Sequence, residues 1–320
     1  MKMEDKIMVK VDIISGFLGA GKTTLIKHLL AHVYAGENVV LIENEFGEIG
    51  IDGGFLKEAG IEIREMNSGC ICCSLVGDFA TSLKEVVSRY NPDRILIEPS
   101  GVGKLSDVVK AVENVKDELE LDICYKVAVI DVTKCKMYLK NFGEFYKNQI
   151  ESASTVIFSR TDIAKAEKVE EALELVKSLN KEAAVITTPV QELDDEILIN
   201  ALKNEGAAKD LIHEEECCCG HHHEHGHHHA DEVFTSWGME TSKAYSKNKL
   251  EEIFTRFDNE TKGTILRSKG ILKSEEGDNW LYFDYVPGQF EIREGNKDYI
   301  GKVCVIAAGY TEEELKEFFV

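Results

Sequence analysis

At 320 residues, 43% of them hydrophobic, the chain is long for one compact domain and apolar enough for two cores, the larger of about 200 residues. Its 37 basic and 58 acidic residues leave a formal net charge of −21, which argues against nucleic-acid binding and anionic membrane surfaces and favours solubility and a high local cation concentration. No stretch reaches the roughly 18 apolar residues of a membrane span. The short N-terminal apolar run leads straight into a glycine loop and reads as a buried strand, not a signal peptide, so a cytoplasmic location with nine reduced cysteines is expected.

In chain order, Val- and Ile-rich strands are predicted at Ile7–Ser15, Val39–Glu43, Ile61–Glu65, Arg94–Glu98, Tyr125–Asp131, Thr155–Ser159 and Ala184–Thr188. Helices alternate with them at Thr23–Ala35, Gly77–Tyr90, Leu105–Leu119, Lys134–Ser152, Lys165–Leu179 and Asp194–Asn204. This alternation predicts an α/β fold, a mostly parallel sheet covered by helices on both faces, with ligands at the carboxyl ends of the strands. Residues 205–232 are polar and then Cys/His-rich without apolar periodicity, and read as a flexible linker. Beyond it, strands are expected at Val233–Glu240, Gly263–Leu272, Trp280–Val286, Gln289–Arg293 and Lys302–Ala308. Helices are expected at Ser246–Asp258 and Thr311–Phe319, the latter opened by a Thr311/Glu314 capping box. The expected organisation is therefore 1–204, a linker at 205–232, and a small α+β domain at 233–320.

The run Gly16–Thr23 reads GFLGAGKT, a G-x-x-x-x-G-K-[ST] loop between a strand and a helix, which makes this chain a P-loop nucleotide binder. Gly16, Gly19, Ala20 and Gly21 form the loop whose backbone N–H groups curl around phosphate oxygens, aided by the helix N-terminus. Lys22 is positioned to reach the β- and γ-phosphates, and the Thr23 hydroxyl to bind Mg²⁺. RILIEPSG, residues 94–101, ends a hydrophobic strand in Glu98, able to hold Mg²⁺ through water, and Gly101, whose N–H can touch a γ-phosphate. In VIFSRTD, residues 156–162, Asp162 can accept the guanine N1–H and N2–H, and Arg160 can stack on the base. Ser159 stands where an Asn is usual, so GTP is the expected nucleotide with uncertain strictness against ATP.

Two further clusters carry metal-ligand chemistry. NSGCICCS, residues 67–74, places Cys70, Cys72 and Cys73 within four residues, a soft donor set suited to Zn²⁺ and acceptable to Co²⁺, Ni²⁺ or Cu⁺. In CCCGHHHEHGHHH, residues 217–229, ten of thirteen residues are Cys or His: Cys217, Cys218, Cys219, His221, His222, His223, His225, His227, His228 and His229. That segment is over-supplied with ligands and fits an accessory site for several ions. Cys124, Cys135 and Cys304 stand apart and read as core residues.

GFLGAGKTTL, ENEFGEIGID, NSGCICCSL and ILIEPSGV, followed by a His-rich linker and a small C-terminal domain, resemble the CobW family of metallochaperone GTPases, similar to the HypB and UreG nickel-insertion GTPases. The resemblance implies GTP-dependent delivery of a transition metal, most often zinc and in some members cobalt, to a client metalloprotein. It places Gly19, Gly21, Lys22, Thr23 and Thr24 at the phosphates, Glu98 on the magnesium side, and Glu45, Cys70, Cys72 and Cys73 at the transition metal.

A coupled mechanism is expected, in which Phe46–Glu48 acts as a switch between γ-phosphate and thiolates. With Lys22, Thr23 and Glu98 as the catalytic set and no evident general base, intrinsic turnover is expected to be slow. Two other readings stay open: a P-loop kinase acting on a small molecule, and a nucleotide-regulated metal store. The physiological metal, the client and the oligomeric state are not specified by the sequence.

Overall fold

In a computed structural model the described residues are 8–43, 62–65, 76–203, 233–277 and 279–319. Seven parallel strands form the first sheet: β1 (Val9–Gly16), β2 (Val39–Glu43), β3 (Glu62–Glu65), β4 (Arg94–Glu98), β5 (Leu121–Asp131), β6 (Thr155–Ser159) and β7 (Ala184–Ile186), in the order β3-β2-β4-β1-β5-β6-β7. Both faces are buried, as an all-parallel sheet requires. Along β1, Val11 and Ile13 enter one core and Ile14 the other. The connecting helices are α1 (Lys22–His28), α2 (Val76–Tyr90), α3 (Leu105–Leu119), α4 (Cys135–Asn141), α5 (Gly143–Glu151), α6 (Ala166–Leu179) and α7 (Asp195–Lys203). Helix α3 shows why these segments dock: Leu105, Val108, Ala111, Val112 and Val115 make one buried stripe at helical spacing.

Two expected helices are revised. The segment starting at Lys22 is α-helical only to His28 and then widens into a π turn at Leu29–Val33, closed by Tyr34 N donating to Leu29 O at 2.9 Å. The Tyr34 hydroxyl donates to buried Asp12 at 2.7 Å, and the Arg94 guanidinium lies 4.1 Å from the Tyr34 ring centre. The expected single helix Lys134–Ser152 is two, broken at Phe142, whose φ of −133° leaves the helical range. Gly143 is a poor helix former, and the break lets both Phe142 and Phe145 turn inward.

The second sheet comprises β8 (Phe234–Thr241), β9 (Ala244–Tyr245), β10 (Thr264–Ser274), β11 (Trp280–Val286), β12 (Gln289–Gly295) and β13 (Gly301–Ala308). Its main path runs β12-β11-β10-β13-β8 and is antiparallel, with β9 added parallel to β10. Sequence reading missed the two-residue β9. One face is covered by α8 (Lys247–Asn259) and α9 (Glu312–Lys316), which bury Leu250, Phe254, Phe257 and Leu315 against Ile265, Leu272 and Phe283. Ser246 caps α8, and the Thr311/Glu314 capping box is present.

The other face of this sheet meets the first domain's core. Phe234, Leu266 and Ile306 join the cluster that contains Phe17, Phe142 and Phe145. Phe17, inside the glycine loop, stacks on Phe142 with ring centres 5.4 Å apart and meets Phe234 edge-on at 6.4 Å. The phosphate loop is therefore anchored to residues of both sheets. Among the described residues no helix is long and apolar enough to cross a membrane. The expected linker, residues 205–232, lies outside the described residues.

Candidate functional site

The site forms where β1, β4 and β6 end together. After Gly16 the chain turns through Gly19 at φ +69° and Gly21 at φ +101°, left-handed conformations that glycine reaches without strain. Gly21 is the residue preceding α1, so the loop delivers its backbone to the helix N-terminus. Buried Lys22 folds back over the loop, its ammonium donating to Gly16 O at 3.0 Å and Phe17 O at 3.3 Å, with a Glu98 carboxylate oxygen 3.7 Å away. Gly19, Ala20, Gly21, Lys22, Thr23, Thr24, Glu98 and Arg160 line one cleft of about 320 Å³. Thr23 and Glu98 offer it hard oxygen donors of the type Mg²⁺ selects.

A second hollow of about 250 Å³ continues from the first, sharing Ala20, Gly21, Thr24 and Arg160. Ser159 and Asp162 line it with Pro189, Val190 and Gln191. Its dimensions and its position beside the phosphate loop suit a purine base. Arg160 sits at φ +59°, an unusual conformation for a side chain of its size. That turn sends its guanidinium back to pair with Asp131 and to donate to Gly19 O at 3.3 Å. Asp131 is itself fixed by the backbone N–H and hydroxyl of Thr133. Arg160 thus braces the base-side loop against the phosphate loop.

Gly101 packs against the phosphate loop. Among the described residues it does not line the cleft. A β-carbon there would meet Leu18 N at 2.9 Å, and buried Gln149 holds the turn by donating to the carbonyls of Gly101 and Gly103 at 3.1 and 2.9 Å. Its backbone is pressed onto the phosphate loop, a packing role the strand-Glu-Gly pattern did not reveal.

Glu45, Cys70, Cys72, Cys73, Phe46–Glu48 and Cys217–His229 lie outside the described residues. Among the described residues no group of three or more His, Cys, Asp or Glu side chains is placed to hold a metal ion. Of the isolated cysteines Cys135 is buried, while Cys124 and Cys304 are half-buried. Burial pushes the Cys124 thiol up to about 11, away from thiolate reactivity.

Comparison with known proteins matches residues 10–187 to the nucleotide-binding domain described as CobW/HypB/UreG, and residues 234–320 to the cobalamin synthesis protein cobW C-terminal domain. The chain belongs to the CobW/HypB/UreG family. Among curated relatives, the zinc chaperone YeiR of Escherichia coli K12 is 32% identical over 167 residues, covering 52% of this chain and 51% of YeiR. The zinc chaperone CobW of a Sinorhizobium species is 30% identical over 198 residues, 53% of this chain and 56% of the relative. Zinc-regulated GTPase metalloprotein activator 1 of Schizosaccharomyces pombe is 30% identical over 213 residues, 62% and 51%. The chain spans about half the length of these relatives. The solved structure of Zn(II)-bound YjiA GTPase from E. coli is 22% identical, covers 98% of both chains and has a TM-score of 0.47.

Within this CobW-family chain the cleft holds residues that sequence reading did not single out. Pro189–Gln191 follow β7, and the rule that ligands gather at strand carboxyl ends marks that loop, but its composition carries no motif. Lys134 stands beside the Asp131–Arg160 pair. Its ammonium is buried without a hydrogen-bond partner among the described residues, and desolvation, opposed by Asp131, pushes its pKa down to about 8. Arg267, Asp284, Val286, Gln289, Glu291 and Arg293 complete the cleft wall from the C-terminal sheet. No local pattern marks them, because their approach depends on how the second sheet docks.

Proposed function

We propose that this chain is a GTP-hydrolysing metallochaperone that binds a transition metal, zinc foremost and cobalt or nickel as alternatives, and hands it to a client metalloprotein. The observation that carries the reading is the continuity of one cleft. It runs from the phosphate loop and Lys22 through Thr23 and Glu98 to a base-sized hollow lined by Asp162. Family membership and the names of relatives as zinc chaperones support the metal half.

In this reading the backbone of Gly19–Thr24 and the Lys22 ammonium bind the β- and γ-phosphates, and Gly16 contributes the tight turn that lets the loop curl. Asp162 selects guanine through two hydrogen bonds, and Arg160 holds that loop in register with the phosphates. Thr23 and Glu98 would hold Mg²⁺, which supplies charge neutralisation at the phosphate oxygens. The thiolates of Cys70, Cys72 and Cys73, with Glu45, hold the cargo metal. The Cys217–His229 segment gathers ions at lower selectivity. A water-soluble, cytoplasmic setting fits the charge of −21.

The test pairs two measurements on the full chain. Metal content is determined after purification without added metal, for wild type and for a Cys70/Cys72/Cys73 triple Ala variant. Release of phosphate from GTP is followed for wild type and Lys22→Ala. About one ion lost with the cysteines and hydrolysis lost with Lys22 are expected. A triple variant that keeps one stoichiometric ion refutes the cargo site, and a wild type that releases no phosphate refutes the GTPase half.

A further inference from the structure

The wall of the cleft opposite the phosphate loop is built by the C-terminal sheet, and it sets two arginines, Arg267 and Arg293, among two carboxylates, Asp284 and Glu291. Residues alternate along each strand, so register pairs share a face. On β11 and β12 the pairs Tyr282–Arg293, Asp284–Glu291 and Val286–Gln289 belong to the face turned toward the first domain, and five of these six residues line the cleft. On β10 a bulge interrupts the alternation. Ile265 pairs with Ala307 in the outer core, whereas Arg267 pairs with Ile306 in the core shared with the first domain. The extra residue, Leu266, also enters the shared core. The bulge thus turns two consecutive side chains to the same face, one to anchor the domains and one, Arg267, to enter the cleft.

Arg267 is 14% exposed and lies 3.4 Å from Asp284, and Arg293 lies 3.7 Å from Glu291. With Lys22 and Arg160 they bring four cationic side chains, against the three carboxylates Glu98, Asp284 and Glu291, to one cleft of a chain whose net charge is −21. At the base of this wall Val286 rests on Gly19: a β-carbon at Gly19 would lie 2.4 Å from Val286 Cγ1. The sheet is therefore in contact with the loop that cradles the phosphates.

We infer that the C-terminal sheet reads the nucleotide's terminal phosphate. Arg267 and Arg293 bind the γ-phosphate across the cleft from Lys22, so the triphosphate ties the C-terminal sheet to the phosphate loop and the diphosphate does not. This inference rests on the cleft being the GTP site. Guanidinium groups suit the task because they match phosphate oxygens in a rigid fork and stay charged at every physiological pH. It makes the C-terminal sheet the element whose attachment changes with the state of the nucleotide.

The experiment measures affinity for a non-hydrolysable GTP analogue and for GDP by calorimetry, on the full chain with Mg²⁺. The proteins are wild type, Arg267→Ala, Arg293→Ala, Arg293→Lys and Lys22→Ala, each checked by thermal melting. Loss of one charge-assisted phosphate contact is expected to weaken the GTP analogue by about 10–100-fold and GDP by less than about threefold. Arg293→Lys should recover part of the loss, and Lys22→Ala should weaken both ligands. Arg293 is on the exposed outer strand, so its variants report even where Arg267→Ala fails to fold. Folded arginine variants with an unchanged ratio of the two affinities overturn the inference alone. A wild type that binds neither nucleotide overturns the reading of the cleft itself.

Discussion

Val286 of the C-terminal sheet lies so close to Gly19 of the phosphate loop that a β-carbon at Gly19 would come within 2.4 Å of its Cγ1. Gly19 also holds φ +69°, which an alanine adopts only with strain. Gly19→Ala is therefore expected to lose nucleotide binding and to lower the melting temperature. Val286→Ala, which deletes about 2 kcal/mol of buried apolar contact, relieves only the steric half. The Gly19→Ala/Val286→Ala pair should recover part of the melting temperature lost in Gly19→Ala. A double variant less stable than the sum of its singles would show that the two residues are not in opposition.

Lys134 gives a pH-dependent prediction. Its folded pKa of about 8 lies below the ordinary value of 10.5, chiefly through desolvation. A lysine shifted down favours the neutral form on folding, so its charge costs stability below pH 8. That cost disappears as the pH rises from 8 to 10.5. Lys134→Met is expected to gain about 1–2 kcal/mol at pH 7 in urea unfolding. The gain should shrink steadily toward pH 10. A gain that does not change with pH, or a loss at pH 7, would mean that Asp131 and Asp258 stabilise the ammonium more than burial penalises it.

Much of this was legible in the sequence, and the limits have physical causes. The parallel sheet followed from Val/Ile-rich runs such as Arg94–Glu98 and Thr155–Ser159, whose bounds match β4 and β6. The glycine loop between β1 and α1 was legible because its backbone curvature needs glycines at fixed spacing. Helix breaks were not legible. Phe142 leaves the helix to pack on Phe17 and Phe234, which are distant in sequence and close only after folding. The same holds for Arg267. Its side chain reaches the cleft through a bulge on β10, and a bulge is fixed by pairing with β13, not by local sequence. Gly101 shows the converse, a recognisable position whose packing against Leu18 only the folded chain reveals.

Phe234 links the sheets, and it supplies a coupling prediction. It is 2% exposed and touches Phe17, Phe142 and Phe145 with ring centres 6.4, 5.6 and 5.1 Å away. Phe234→Ala is expected to cost about 3–5 kcal/mol of stability. Because Phe17 belongs to the phosphate loop, the same change should also weaken nucleotide binding at temperatures where the protein stays folded. A double-mutant cycle with Phe17→Ala should give a coupling of about 0.5–1.5 kcal/mol. Strict additivity would separate the aromatic cluster from the loop.

Asp162 is the residue on which base selection turns in the proposed function. Its carboxylate lines the hollow beside Ser159 and Arg160, on a loop held to Gly19 by the Arg160 guanidinium. A carboxylate accepts hydrogen bonds and donates none, so it complements the adjacent N–H donors of guanine and has no matching pair of donors on adenine. Hydrogen bonds to a charged acceptor contribute about 1.5–3 kcal/mol, which corresponds to about 10–150-fold in affinity. Asp162→Ala is expected to weaken GTP by that factor while leaving ATP almost unchanged, so the preference between them collapses. Ser159→Asn, which adds an amide at the edge of the same hollow, should act in the opposite direction and sharpen the preference for GTP. Competition binding with both nucleotides on the three proteins decides the matter. An equal loss for GTP and ATP in Asp162→Ala would assign that carboxylate to loop structure and move base reading elsewhere in the hollow, to Pro189–Gln191.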